Sequence, residues 1–143
     1  MDLVCHFQML ARYNRIANER LFVKCAQLDD TEYRKRRVGS FGSIHALLNH
    51  ILLGDRRWMG LFESGERVTP PLNQILYEDF SGLRSARAQE DARIESFFAG
   101  LDSAFGISRS PTRIIKAKTT WKLRTWHAVI CSITRRTIEG RFT

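Results

Sequence analysis

The chain has 143 residues, enough for one domain with a sizeable core, and 43% of them are hydrophobic. No apolar run reaches the length of a membrane span, and the first ten residues lack the basic-then-apolar pattern of a secretory signal. The net charge of +8 invites a nucleic-acid reading, but its placement argues against one: residues 1–104 carry 14 Lys and Arg against 14 Asp and Glu, whereas residues 105–143 carry nine against one, Glu139. Cys5, Cys25 and Cys131 are widely spaced and form no CxxC pair, which predicts reduced, mostly buried thiols and a cytoplasmic protein.

Residues 3–28 read as a first helix. Phe7, Leu10, Ala17, Leu21, Cys25 and Leu28 mark its buried side, with Arg12, Arg15, Glu19, Arg20 and Lys24 opposite. Asn14 and Asn18 fall near the seam, where an amide needs a partner. Asp29, Asp30 and Thr31 close this helix and can cap a short turn, and the basic run YRKRR (residues 33–37) reads as a solvated connector.

The cleanest helical pattern follows in residues 42–62, GSIHALLNHILLGDRRWMGLF. Ile44, Leu47, Leu48, Ile51, Leu52, Trp58, Met59 and Phe62 recur at spacings of three and four, and Ser40 or Ser43 can cap the start. With Ile51 as the middle of this stripe, His50 falls at its edge beside Leu47 and Gly54, so its imidazole points along an interhelical groove. His45 lies on a different face and is not expected to chelate with His50.

Residues 63–74 form a connection interrupted by Gly65, Pro70 and Pro71, and residues 73–80 suggest a short helical turn. A third long helix is expected from about residue 79 to residue 98. Its inner side is Leu83, Ile94, Phe97, Phe98 and Leu101, with Arg84, Arg87, Glu90, Asp91, Arg93 and Glu95 between, and Gly100 ends it. Three such helices imply an all-α, up-and-down four-helix bundle spanning residues 1–104 with its last member still to come. Residues 105–143 supply that helix poorly. Residues 121–133 can form a short one, but the stretch is rich in β-branched residues and ends without a cap.

The segments ARYNRIANERL (residues 11–21), FGSIHALLNHILLGDRRW (residues 41–58) and TPPLNQILYEDFSGLRSARAQEDARI (residues 69–94) resemble the DinB family, the damage-inducible, YfiT-like four-helix bundles. The resemblance implies that His50 is one of three imidazoles holding a divalent metal, nickel or zinc. It also implies kinship with transferases and isomerases that use low-molecular-weight thiols, and often a homodimer. Asp55 and Trp58 match further family positions; helix polarity and core packing are the other account of them, and for Trp58 core packing is the favoured reading. The family's other two ligands come from a last-helix motif like NHQTHHRGQ, for which residues 131–143 here read CSITRRTIEGRFT. A two-base shift in the reading of that segment permits LNHQTHHRGQVH. The pattern points to an out-of-frame translation from about residues 103–113 onward and to a fourth helix that is degenerate.

The expectation is therefore a metal-binding bundle impaired by the loss of two histidines, its core short of cover and its product marginal, aggregation-prone or dimeric. The alternative is a non-enzymatic module whose basic tail binds nucleic acid or an acidic partner. A product without activity is a third reading.

Overall fold

A computed structural model of the chain describes residues 3–65, 71 and 73–101, and for residue 3 only the backbone. The described chain is all-α, as the apolar spacing predicts. Four helices follow one another: α1 (Leu3–Cys25), α2 (Asp30–Arg34), α3 (Ile44–Glu63) and α4 (Phe80–Ala99). No described helix is long and apolar enough to cross a membrane. The expected fourth long helix and the divergent tail lie outside the described residues.

The described residues divide into two compact units, residues 18–93 and residues 3–17 with 94–101, and α1 and α4 each contribute to both. In residues 18–93 the core is Phe22, Cys25, Tyr33, Leu48, Leu52, Leu83 and Ala86, with Leu21, Ile44, Ile51, Leu76, Tyr77 and Phe80 packed around it. Full burial of side chains of this kind is worth about 1.5–3 kcal/mol each. Phe80 joins the elements: its ring stacks on Phe22 with centroids 5.6 Å apart and meets the edge of Tyr33 at 5.3 Å.

The short helix α2 was expected only as a turn. Asp29 starts it by accepting the backbone N–H of Glu32 at 2.7 Å, and it delivers Tyr33 into the core. The YRKRR run is thus not a free solvated connector. Tyr33 is buried, Arg34 pairs with Asp30 and Glu78, and Lys35 and Arg37 both pair with Glu32. A helix capped by Asp29 places the run's one aromatic on the inner face, where its apolar ring outweighs the neighbouring charges.

Among the described residues the buried Tyr33 hydroxyl meets no hydrogen-bond partner, and burial, with Cys25 adding to it, pushes its pKa up to about 12. An unpaired buried hydroxyl is costly, so Tyr33→Phe is expected to stabilise the protein by about 1 kcal/mol in urea unfolding. A loss of stability on this substitution would show that the hydroxyl is paired.

In the other unit, Val4, Phe7, Ala11, Ile94 and Phe98 are buried. Phe7 and Phe98 stack at 5.8 Å, Gln8 Nε2 donates to the Phe98 carbonyl at 3.2 Å, and Arg15 Nε pairs with Glu95 at 3.0 Å. Along α1 the inner stripe is Val4, Phe7, Ala11, Asn14, Asn18, Phe22 and Cys25, whereas Leu28 lies beyond the helix and is exposed. Of the two described cysteines, Cys25 is buried as expected and Cys5 is exposed.

Candidate functional site

The candidate site is read from α3 and the segment that follows it. Ser43 caps α3 by accepting the Ala46 N–H at 3.1 Å. Gly42 precedes it at φ 75°, a left-handed conformation that favours glycine, and its carbonyl accepts the Arg37 N–H at 2.7 Å. This tight turn carries Phe41 to His50: the two rings lie 4.2 Å apart, tilted by 34°. His50 is half-buried, as are Leu47 and Gly54, in keeping with a place at the edge of the stripe.

The stripe itself is turned from its expected position. Its buried residues are His45, Leu48, Asn49, Leu52, Leu53, Asp55, Met59 and Phe62, while Ile51 is half-buried. The centre runs through Leu48, Leu52 and Met59, and three polar residues share the inner face with them. Trp58 rests against Phe62 with centroids 5.9 Å apart, a packing role.

Each inward polar residue of α3 has a defined task. Asn49, fully buried, grips the segment after α3: its Oδ1 accepts the N–H groups of Leu76 and Tyr77, both at 2.9 Å. Its Nδ2 donates to the carbonyls of His45 at 3.0 Å and Tyr77 at 3.1 Å. His45 adds a hydrogen bond between Nε2 and the Tyr77 carbonyl at 3.0 Å, and its ring meets Tyr33 edge-on at 5.4 Å. From outside, Arg56 lies 5.6 Å from the Tyr77 ring centroid. Residues 73–79 are therefore not the helical turn expected there. They form an irregular strap whose backbone at Leu76 and Tyr77 is held by Asn49 and His45 of α3, and at Glu78 by Arg34 of α2.

Asp55 engages α4. Its Oδ2 accepts from Arg87 Nη1 at 2.7 Å, while Arg87 Nη2 lies 2.9 Å from Asp91 Oδ1. That same Asp91 oxygen accepts from Asn18 Nδ2 at 2.8 Å, which is the partner required of an amide at the α1 seam. Glu90, also buried, pairs with Arg93 at 3.0 Å and Arg56 at 3.6 Å, and Arg93 continues to Glu63 at 2.6 Å. Arg87, Glu90 and Asp91 are thus inside and not on the wet side of α4, because Arg87 finds Asp55 and Glu90 finds Arg56 on α3, while Asp91 meets Arg87 one turn away and the Asn18 amide of α1. Burial alone would loosen the Arg87 proton, but Asp55 and Asp91 together hold its pKa above the ordinary guanidinium value. Its Nε is buried without a hydrogen-bond acceptor among the described residues.

For a metal ion the described donor set does not suffice. No group of three or more His, Cys, Asp or Glu side chains able to hold one occurs among the described residues. His50 stands against Phe41, His45 is committed to the strap, and Cys25 belongs to the core. His6 belongs to the other compact unit, and His127, Cys131 and the CSITRRTIEGRFT segment lie outside the described residues. Sequence reasoning singled out His50, Asp55 and Trp58. It missed Asn49 as a backbone clamp and Arg87 as the centre of an ion cluster. The available signal was polar residues at helical spacing with the apolar ones: His45, Asn49 and Asp55 accompany Leu48 and Leu52.

A family model, that of the DinB family, matches residues 4–128. No curated protein and no solved structure matches the chain.

Proposed function

The chain belongs to the DinB family, and from that membership we propose that it is a divalent-metal-binding bundle related to thiol-dependent S-transferases, impaired by the loss of two of its three imidazole ligands. The observation that carries this reading is the histidine inventory. The whole chain has four, and His50 alone occupies the family's ligand segment. No histidine follows His127, so residues 131–143 cannot contribute the imidazole pair that the family draws from its last helix. His45 and His50 are five residues apart, roughly 140° around a helix, which does not bring two rings to one ion. An open three-ligand site suits a catalytic metal, nickel or zinc, that acidifies a bound thiol or water. One imidazole does not hold such an ion, so no catalytic step is assigned to this chain.

The test is metal content. The protein as encoded is expected to retain no stoichiometric nickel or zinc after dialysis. A variant with the shifted frame restored from about residues 103–113 onward should hold one equivalent, lost again on His50→Ala. One equivalent bound by the unmodified chain and removed by His50→Ala would overturn the reading.

The charge distribution favours a second reading. All of the net +8 arises in residues 105–143, which suits a nucleic-acid or acidic partner. That reading requires salt-sensitive binding that disappears when the tail is deleted, with metal content unaffected.

A further inference from the structure

α1 is one continuous helix with two apolar stripes. The buried stripe runs from Val4 to Cys25. Met9, Tyr13, Ile16, Arg20 and Val23 form a second row at alternating spacings of four and three, the seam spacing of paired helices. At about 100° per residue the centre of this row falls roughly 180° from the buried stripe. Met9 and Val23 are 50% exposed and Tyr13 44%, while Ile16 is half-buried. Hydrophobic residues scattered singly over a surface are ordinary. Three of the six large ones exposed among the described residues stand in this one row, which marks it as a contact face.

The side chains on and beside the row fit a second copy of the same helix in one orientation. Set antiparallel about Ile16, each Met9 comes level with the partner's Val23, and the two Ile16 side chains meet. Tyr13 comes within about 1.5 Å in height of the partner's Arg20, which brings a guanidinium to an aromatic ring. Arg12 and Glu19 are both exposed on one flank of the row, and Arg12 comes equally close in height to the partner's Glu19. A twofold axis makes each of these off-centre contacts twice. A parallel pair would instead set Arg20 against the partner's Arg20 inside the seam.

We propose that this face of α1 is the interface of an antiparallel homodimer centred on Ile16, with Arg12 and the partner's Glu19 setting its register. The seam from Met9 to Val23 is about 21 Å long, small for a stable complex, so the dimer forms at concentrations on the order of 1–100 μM.

Sedimentation equilibrium of the full chain tests this, with the wild type expected to pass from monomer to dimer over that range. Arg12→Glu and Glu19→Arg each set like charges together twice and should raise the dissociation constant about tenfold. The double variant reverses the pair and should return it to within about threefold of wild type, a rescue that lost helical order would not give. Val23→Lys, at an exposed position outside the core, covers the case in which Glu19→Arg fails to fold, and should also weaken the dimer about tenfold. A wild type still monomeric at about 1 mM, even one that captures another protein's helix on this face, would overturn the proposal. A dimer whose dissociation constant neither Arg12→Glu nor Val23→Lys changes would overturn it by placing the association elsewhere. So would a folded double variant no tighter than the single ones.

Discussion

Arg87→Met is expected to cost about 3–5 kcal/mol in urea unfolding, a large share of the roughly 5–15 kcal/mol by which native proteins are ordinarily stable. The loss does not measure how much the ion cluster stabilises the fold. Replacing buried ion pairs with apolar side chains of similar size is often neutral or favourable. The loss arises because methionine fills the space of Arg87 but takes from Asp55 and Asp91, each at most 4% exposed, the guanidinium that both of them contact. Adding Asp55→Asn and Asp91→Asn to the methionine variant should therefore recover most of the stability. A single-substitution loss below about 1 kcal/mol would mean that water reaches the cluster and neutralises it.

Asn49→Ala is expected to cost about 2–5 kcal/mol, from two backbone N–H groups that lose their only described acceptor and two carbonyls that lose a donor. The effect should be local before it is global. Amide hydrogen exchange at Leu76 and Tyr77 should accelerate in the variant under conditions where Leu52 and Leu83 remain protected. Asn49→Asp tests the same geometry differently. It keeps an acceptor for the two N–H groups but turns a second oxygen toward the His45 and Tyr77 carbonyls, and it should be at least as damaging. Unchanged exchange at Leu76 and Tyr77 would show that the strap is held by its apolar contacts alone.

Most of the helical framework was legible because it is written in apolar spacing and end signals. Ser43 caps α3, Gly100 follows the end of α4, and Leu83, Ile94 and Phe98 are all buried where the three-and-four pattern puts them. The partners of the interior polar residues were not legible, for a physical reason. Spacing arguments assign every charged residue to water, which holds only when no opposite charge waits across the helix interface. Arg87 and Asp91 are one turn apart on α4, Asp55 is on α3, and Asn18 is on α1. Nothing in the sequence around any one of them reveals the other three. The strap was misread because Leu76, Tyr77 and Phe80 have helix-like spacing, whereas the hydrogen bonds that fix the backbone there come from a side chain nearly thirty residues earlier. For the candidate metal ligand, local pattern and family resemblance placed His50 at the rim of α3, and its half-burial there agrees.

Asn49 and His50 are neighbours in sequence, and their side chains leave the helix axis about 100° apart. Three hydrogen bonds from the first to the strap fix the rotational setting of α3, much as a key fixes a shaft, so the compass bearing of the second is set as well. The direction of that imidazole is thus decided about 100° around the helix, and loosening the asparagine would blur it without touching it.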